Sequence, residues 1–328
     1  MKKIIALLMA IMIVLSLAAC GGNEEETTVP VDETTAAAEE TTAAEDVGTA
    51  ALANGEWVNN AGKFAVALVG AELFNDEDGA KAIRVYLDFT NKEDSYTTTF
   101  SDETQDIVFI QNGEELNETN AVYGEDVAEF GNQKKNIRPG VTIRVIKEFA
   151  LNAETGSVDF EFTAKRQDGA TLTYTFDVTA LPGAPEEAFT AKTIAAPDFN
   201  AGWPESGKVT DYYNRDAKHD VVIKNAEFVD GTRDTKLIRV YFDFTNNDTE
   251  AEDFFDACDI MVFQDGIQLE EGQANELCDT DMAFSKDVDA GATVTISNVY
   301  ILTSDSPVEV EINDIWEDTG IAKQFIVE

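Results

Sequence analysis

The chain has 328 residues, with 64 acids against 23 bases and a formal net charge of −41. So acidic a surface repels phosphate, which argues against nucleic acid and anionic lipid headgroups as partners and leaves cationic ones open. One His and three Cys are too few soft ligands for an ordinary zinc site.

Residues 1–20 read as an export signal. Lys2 and Lys3 form a cationic start, Ile4–Leu15 is an almost unbroken apolar run, and Leu17-Ala18-Ala19-Cys20 has the pattern of a lipobox. The run is shorter than the about 20 residues a membrane span needs. Cys20 is therefore the expected lipidation site, carrying a palmitate-class anchor to the outer face of the cell membrane. More than one acyl chain there would give stable attachment. Residues 21–55 follow as a tether rich in Thr, Ala and Glu. Its first 30 positions have no Lys, Arg or aromatic residue, so it cannot bury enough apolar surface to offset its ordering entropy. Residues 1–50 hold nine of the acids and two of the bases, leaving 55 against 21 for the remainder. The length after the tether suits two domains.

The first module is expected over 56–180. Its strongest segment alternates Ile83, Val85, Leu87 and Phe89 with Arg84, Tyr86, Asp88 and Thr90, the mark of a strand with one face buried. Alternation recurs at 141–145, 158–162 and 172–178, and Asn112-Gly113 suits a two-residue hairpin turn. Residues 181–215, with Pro182, Pro185, Pro197 and Pro204, read as a linker with room for a short helix at 185–190. Trp57 and Trp203 stand ahead of the two modules as packing plugs. The second module, 216–328, repeats the first. Ile83–Asn91 returns as Ile238–Asn246 with eight of nine positions identical. Ala71-Glu72 returns as Ala226-Glu227, and Gln111-Asn112-Gly113 as Gln264-Asp265-Gly266. About seven short strands in each module point to an all-β chain of two tandem immunoglobulin-like β-sandwiches.

These residues, Ala-Glu-Phe, then Ile-Arg-Val-Tyr-Phe-Asp-Phe-Thr-Asn-Asn, then Phe-Gln-Asp-Gly-Ile-Gln-Leu, resemble the domain-of-unknown-function family numbered 5067. The 216–328 copy matches well. The first departs, with Ile110-Gln-Asn-Gly-Glu-Glu-Leu116 in place of the Phe-Gln-Asp-Gly stretch. The resemblance implies immunoglobulin-like modules in lipoproteins of Gram-positive bacteria and carries no catalytic residues.

The chemistry-bearing motifs are weak. Gly202–Lys208 has the glycines and lysine of a phosphate loop, but Val209 stands where Ser or Thr is needed and Pro204 stiffens it. His219, the only His, reads as a surface or packing residue at a strand start. No Gly-x-Ser-x-Gly elbow occurs. Carboxylates are too many for a pair to be singled out. Asn75–Gly79 and Asp230–Asp234 read as turns and not calcium loops. With Cys20 lipidated, Cys258 and Cys278 remain, either as a disulfide or as two free thiols. The first module lacks both, so the fold does not depend on a bridge. Arg84, Tyr86 and Asp88, with Arg239, Tyr241 and Asp243, read as outer-face residues held by local hydrogen bonds rather than a recognition face. No catalytic residue, cofactor or metal ligand is assigned. The reading is a membrane-anchored, non-enzymatic module that binds an extracellular protein or glycan. Alternatives are a solute-binding lipoprotein of a transport system and a glycan-acting enzyme.

Overall fold

The computed structural model describes residues 57–58, 62–119, 129–164, 171–185, 189, 202–317 and 319–327. The signal, Cys20, the tether and most of the proposed helix at 185–190 lie outside these residues. Among the described residues no helix is long and apolar enough to cross a membrane.

Each module is a pair of four-stranded antiparallel sheets, as the strand alternation requires. In the first, β1 (Trp57–Val58), β2 (Phe64–Asn75), β3 (Lys81–Asn91) and β6 (Thr142–Ala150) form one sheet in the order β1-β2-β3-β6. β4 (Thr104–Gln111), β5 (Glu114–Glu115), β7 (Ser157–Ala164) and β8 (Thr171–Asp177) form the other, in the order β5-β4-β7-β8. The second module repeats this with β9 (Ser206–Thr210), β10 (Lys218–Asp230), β11 (Lys236–Thr245) and β14 (Thr293–Ile301), ordered β14-β11-β10-β9. Its other sheet is β13 (Ile267–Gln268), β12 (Asp259–Gln264), β15 (Val308–Asp314) and β16 (Thr319–Phe325), in that order. With β2, β3 and β6 set against β5, β4, β7 and β8, the strands follow the A-B-E and C′-C-F-G sheets of an immunoglobulin-like sandwich. β9 lies inside the segment read as linker. Its five residues, behind Pro204, are too few for alternation to reveal, and pairing with β10 from Lys218↔Thr210 to Val222↔Ser206 makes it a strand.

Hydrophobic burial holds the sheets together. Ile83, Val85, Leu87 and Phe89 are wholly buried, as are Ile238, Val240, Phe242 and Phe244, each contributing about 1.5–3 kcal/mol. One-turn helices on the crossover between sheets add a ring to each core: α1 (Phe100–Glu103), capped by Thr99, and α2 (Phe254–Ala257), capped by Asp253. Phe100 lies edge-on to Phe89 at 5.5 Å, and Phe254 sits 5.4 Å from Phe244. Trp203 covers Gly320, where an added Cβ would meet the indole at 2.5 Å, so its role here is packing.

The polar half of the repeated motif is structural too. Arg84 Nε donates to Glu148 at 2.6 Å and Nη1 to Glu72 at 3.2 Å, while Tyr86 donates to Glu72 at 2.6 Å. Arg239 repeats this with Asp281 at 3.0 Å and Glu227 at 2.7 Å, and Tyr241 donates to Glu227 at 2.8 Å. Asn91 and Asn246, both wholly buried, tie down the loop after their strand. Asn246 Nδ2 donates to the carbonyls of Glu250 and Val288, each at 2.8 Å, and its Oδ1 accepts from Asp248 N. Gln264 holds the 303–306 turn in the same manner, as Gln111 holds 152–155. We expect Asn246→Ala to cost about 2 kcal/mol, because three bonds are lost at a buried site. Urea unfolding measures it, and an unchanged midpoint would show that the loop does not depend on Asn246.

Asn112 and Gly113 have φ of 57° and 80°, and Asp265 and Gly266 have 54° and 76°. Both hairpins thus use the left-handed pair of a type I′ turn, as the sequence indicates. The second hairpin also joins the modules. Ile137 bridges Ile267, Arg138 N donates to Gly266 O at 2.9 Å, and Gln268 N donates to Asn136 O at 2.9 Å. The Arg138 guanidinium lies 4.6 Å from the centre of the Phe263 ring and pairs with Glu309 and Glu311.

Candidate functional site

The sequence places His219 on the inward phase of β10, with Val221 and Ile223. The repeat sets it opposite Phe64 of the first module. Phe64 packs on Phe89 at 5.8 Å, and His219 packs on Phe244 at 5.0 Å. His219 is wholly buried, not on the surface, so its ring nitrogens need partners. Asn247 N donates to Nδ1 at 3.3 Å. Nε2 lies 3.1 Å from Asp211 Oδ2 and 3.6 Å from Glu252 Oε2. Asp211 is also wholly buried, and its Oδ1 accepts from the amides of Tyr213 and Asn214. Burial, followed by a hydrogen bond with Asp211 and then the Asp211, Asp248 and Asp253 charges, pushes Glu252 up to about 7.

Asp211, His219 and Glu252 present ligand atoms within 4.8 Å of one another, the one group of this kind among the described residues. Their hydrogen-bond roles do not suit a cation. A histidine that binds metal through Nε2 donates from Nδ1, whereas this Nδ1 accepts a backbone N–H. The network therefore assigns the proton to Nε2, facing the carboxylates. The cluster closes a polar gap in the core. It also lacks an activated nucleophile: burial and then the Asp211 and Glu252 charges push the Cys258 thiol up, the reverse of what a thiolate needs.

Cys258 and Cys278 are both free. Cys258 packs in the second core, while Cys278 Sγ faces Thr280 Oγ1 at 2.9 Å on the opposite, polar side of the sheet. The disulfide alternative is thereby replaced by two thiols. The phosphate-loop segment runs into β9, where Lys208 pairs with Asp220 at 2.9 Å. Asp76, within the 75–79 turn, accepts from Asp78 N, Ala80 N and Thr119 Oγ1, so its oxygens serve the turn.

Directly outside the buried cluster lies an open cleft of about 290 Å³. Asp211 shapes one wall, because its two amide bonds turn the chain at Tyr212 and Tyr213; Tyr213 is 73% exposed. Helix α2 supplies the other wall, with Phe255 58% exposed and leaning on Phe284 at 5.8 Å. Cys258 and Tyr300 reach the floor, and Asp256, Asp259 and Glu271 supply carboxylates. Burial raises Asp259, opposed by a bond from Asn313. Sequence reasoning missed this cleft, since Tyr212-Tyr213 sits in the presumed linker and the acids stand among many others.

A comparison with curated proteins finds no match. Among solved structures, a candidate lipoprotein from Staphylococcus aureus subsp. aureus NCTC 8325 is similar at 16% identity, over 36% of this chain and 86% of that one, with a TM-score of 0.31. A family model described as a domain of unknown function, DUF5067, matches residues 38–164 and 213–314, one segment for each module. The two matched segments carry the repeated strands and the Asn and Gln loop ties, and with them the chain belongs to the DUF5067 family.

Proposed function

We propose that this protein is a lipoprotein anchored by lipid to the extracellular face of the cell membrane, and that it binds an extracellular partner and does not transform it. The contrast between two neighbouring features carries the reading. In the acid–imidazole cluster Asp211 and His219 are wholly buried and only the edge of Glu252 meets solvent, which favours a structural role over chemistry on a substrate. The aromatic cleft beside it is open. The lipobox at Cys20 and the acidic tether supply the anchor and the reach: about 30 flexible residues extend on the order of 30 Å. A solute receptor that closes by a hinge is less well supported, because Arg138 and the backbone bonds of 136–138 to 266–268 fasten the modules. The partner is a protein or glycan of the envelope. Capture from envelope fractions on the full-length lipoprotein is expected to give saturable binding, and Cys20→Ala is expected to move the protein from membrane to soluble fractions. Absence of any saturable partner would remove the binding reading; unchanged partitioning of Cys20→Ala would remove the anchor.

A further inference from the structure

We propose that the cleft of the second module takes a cationic amine on an apolar stem, such as a lysine side chain of the partner. Its walls, Tyr212, Tyr213, Phe255 and Phe284, offer ring faces and edges, and no Lys or Arg lines it. Asp259 accepts only from Asn313 Nδ2 at 3.2 Å and Glu271 from Asn298 Nδ2 at 2.8 Å. Asp256 joins them, and none of the three carboxylates has a cationic partner among the described residues. Rings beside unneutralised carboxylates attract an ammonium group twice over, through the ring quadrupole and through charge, while apolar ring area covers the stem. The sandwich does not demand the exposed ring: Phe255 corresponds to Ser101 of the first module, while Asp256 has the counterpart Asp102. This inference rests on the binding reading above and names the chemistry bound.

The test is calorimetric titration of the full-length lipoprotein in neutral detergent with pentylammonium, and with 1-pentanol as the uncharged match. Pentylammonium is expected to bind and pentanol to bind at least 10-fold more weakly. Net charge alone attracts any cation, so the deciding variants keep it: Tyr213→Ser and Phe255→Ser should each weaken binding about 5- to 10-fold. Both side chains are largely exposed, and an unchanged thermal transition verifies the fold. Asp256→Asn should weaken binding more than Asp305→Asn, an exposed acid outside the cleft. Equal binding of pentanol, aromatic variants that bind as the parent does, or equal effects of the two Asp→Asn changes would each overturn the proposal. Envelope capture that persists after such a result would leave the binding reading intact and remove only the ligand class.

Discussion

Arg138→Met is expected to destabilise the protein by about 3–5 kcal/mol, the range for breaking one side of a buried ion pair. Arg138 is 3% exposed and Glu311 1%, so neither charge has water to fall back on. Arg138 belongs to the first module, and the contacts that set its guanidinium come from the second. Its own amide bonds to Gly266 O, its plane covers Phe263, and its Nη2 meets Glu309 at 2.9 Å as well as Glu311. Methionine keeps much of the packing volume but leaves Glu311 in a place shaped for a cation. Adding Glu311→Leu should recover most of the loss, because an apolar pair can replace a buried ion pair at little cost. The same variant separates the modules energetically: calorimetry should change from one joint unfolding transition to two. A single unshifted transition for Arg138→Met would show that the modules are not coupled through this residue.

The β character of each module is legible because burial alternates with the strand period, and nothing at Ile83–Phe89 or Ile238–Phe244 conflicts with it. The type I′ turns are legible from Asn-Gly and Asp-Gly because those residues tolerate positive φ. The docking of modules is not. It joins residues 136–138 to 266–268, more than a hundred positions apart, through loop backbone that no periodicity marks. The candidate site was half readable. Aligning the copies sets His219 on Phe64, and a lone imidazole at an apolar position must find polar partners. Which of the many acids serve it depends on Asp211 and Glu252 lying in connecting segments whose geometry only the folded chain fixes. The aromatic cleft eluded the sequence for the same reason: Tyr213 comes from a loop turned by Asp211 and Phe255 from the one-turn helix α2.

Asp211→Ala is expected to cost about 2–4 kcal/mol at mildly acid pH and clearly less at mildly alkaline pH. Two amides, of Tyr213 and Asn214, and the Nε2–H of His219 lose their acceptor at a site without solvent. The pH dependence comes from Glu252. Its folded value of about 7 stands above the 4.5 of an ordinary glutamate. The folded state therefore holds a proton that the unfolded chain releases, and stability is fully present below the unfolded value and falls as pH rises through the folded one. Asp211 contributes to that elevation by hydrogen bond and by charge, so removing it lowers Glu252 toward its ordinary value and flattens the profile. The parent should lose about 1–2 kcal/mol between about pH 5 and pH 8, less than the full shift implies because the Glu252 side chain is 21% exposed. Glu252→Gln should remove the slope with little change at pH 5, since the neutral amide stands in for the protonated acid. Urea unfolding at three pH values distinguishes the cases, and a parent profile that rises or stays flat across this window contradicts a protonated Glu252. Because Asp211 also turns the chain at Tyr212 and Tyr213, its loss should loosen the cleft wall as it destabilises the core. Pentylammonium affinity should therefore fall in Asp211→Ala and hold in Glu252→Gln, which ties the acid–imidazole cluster to the open site through geometry and not through charge.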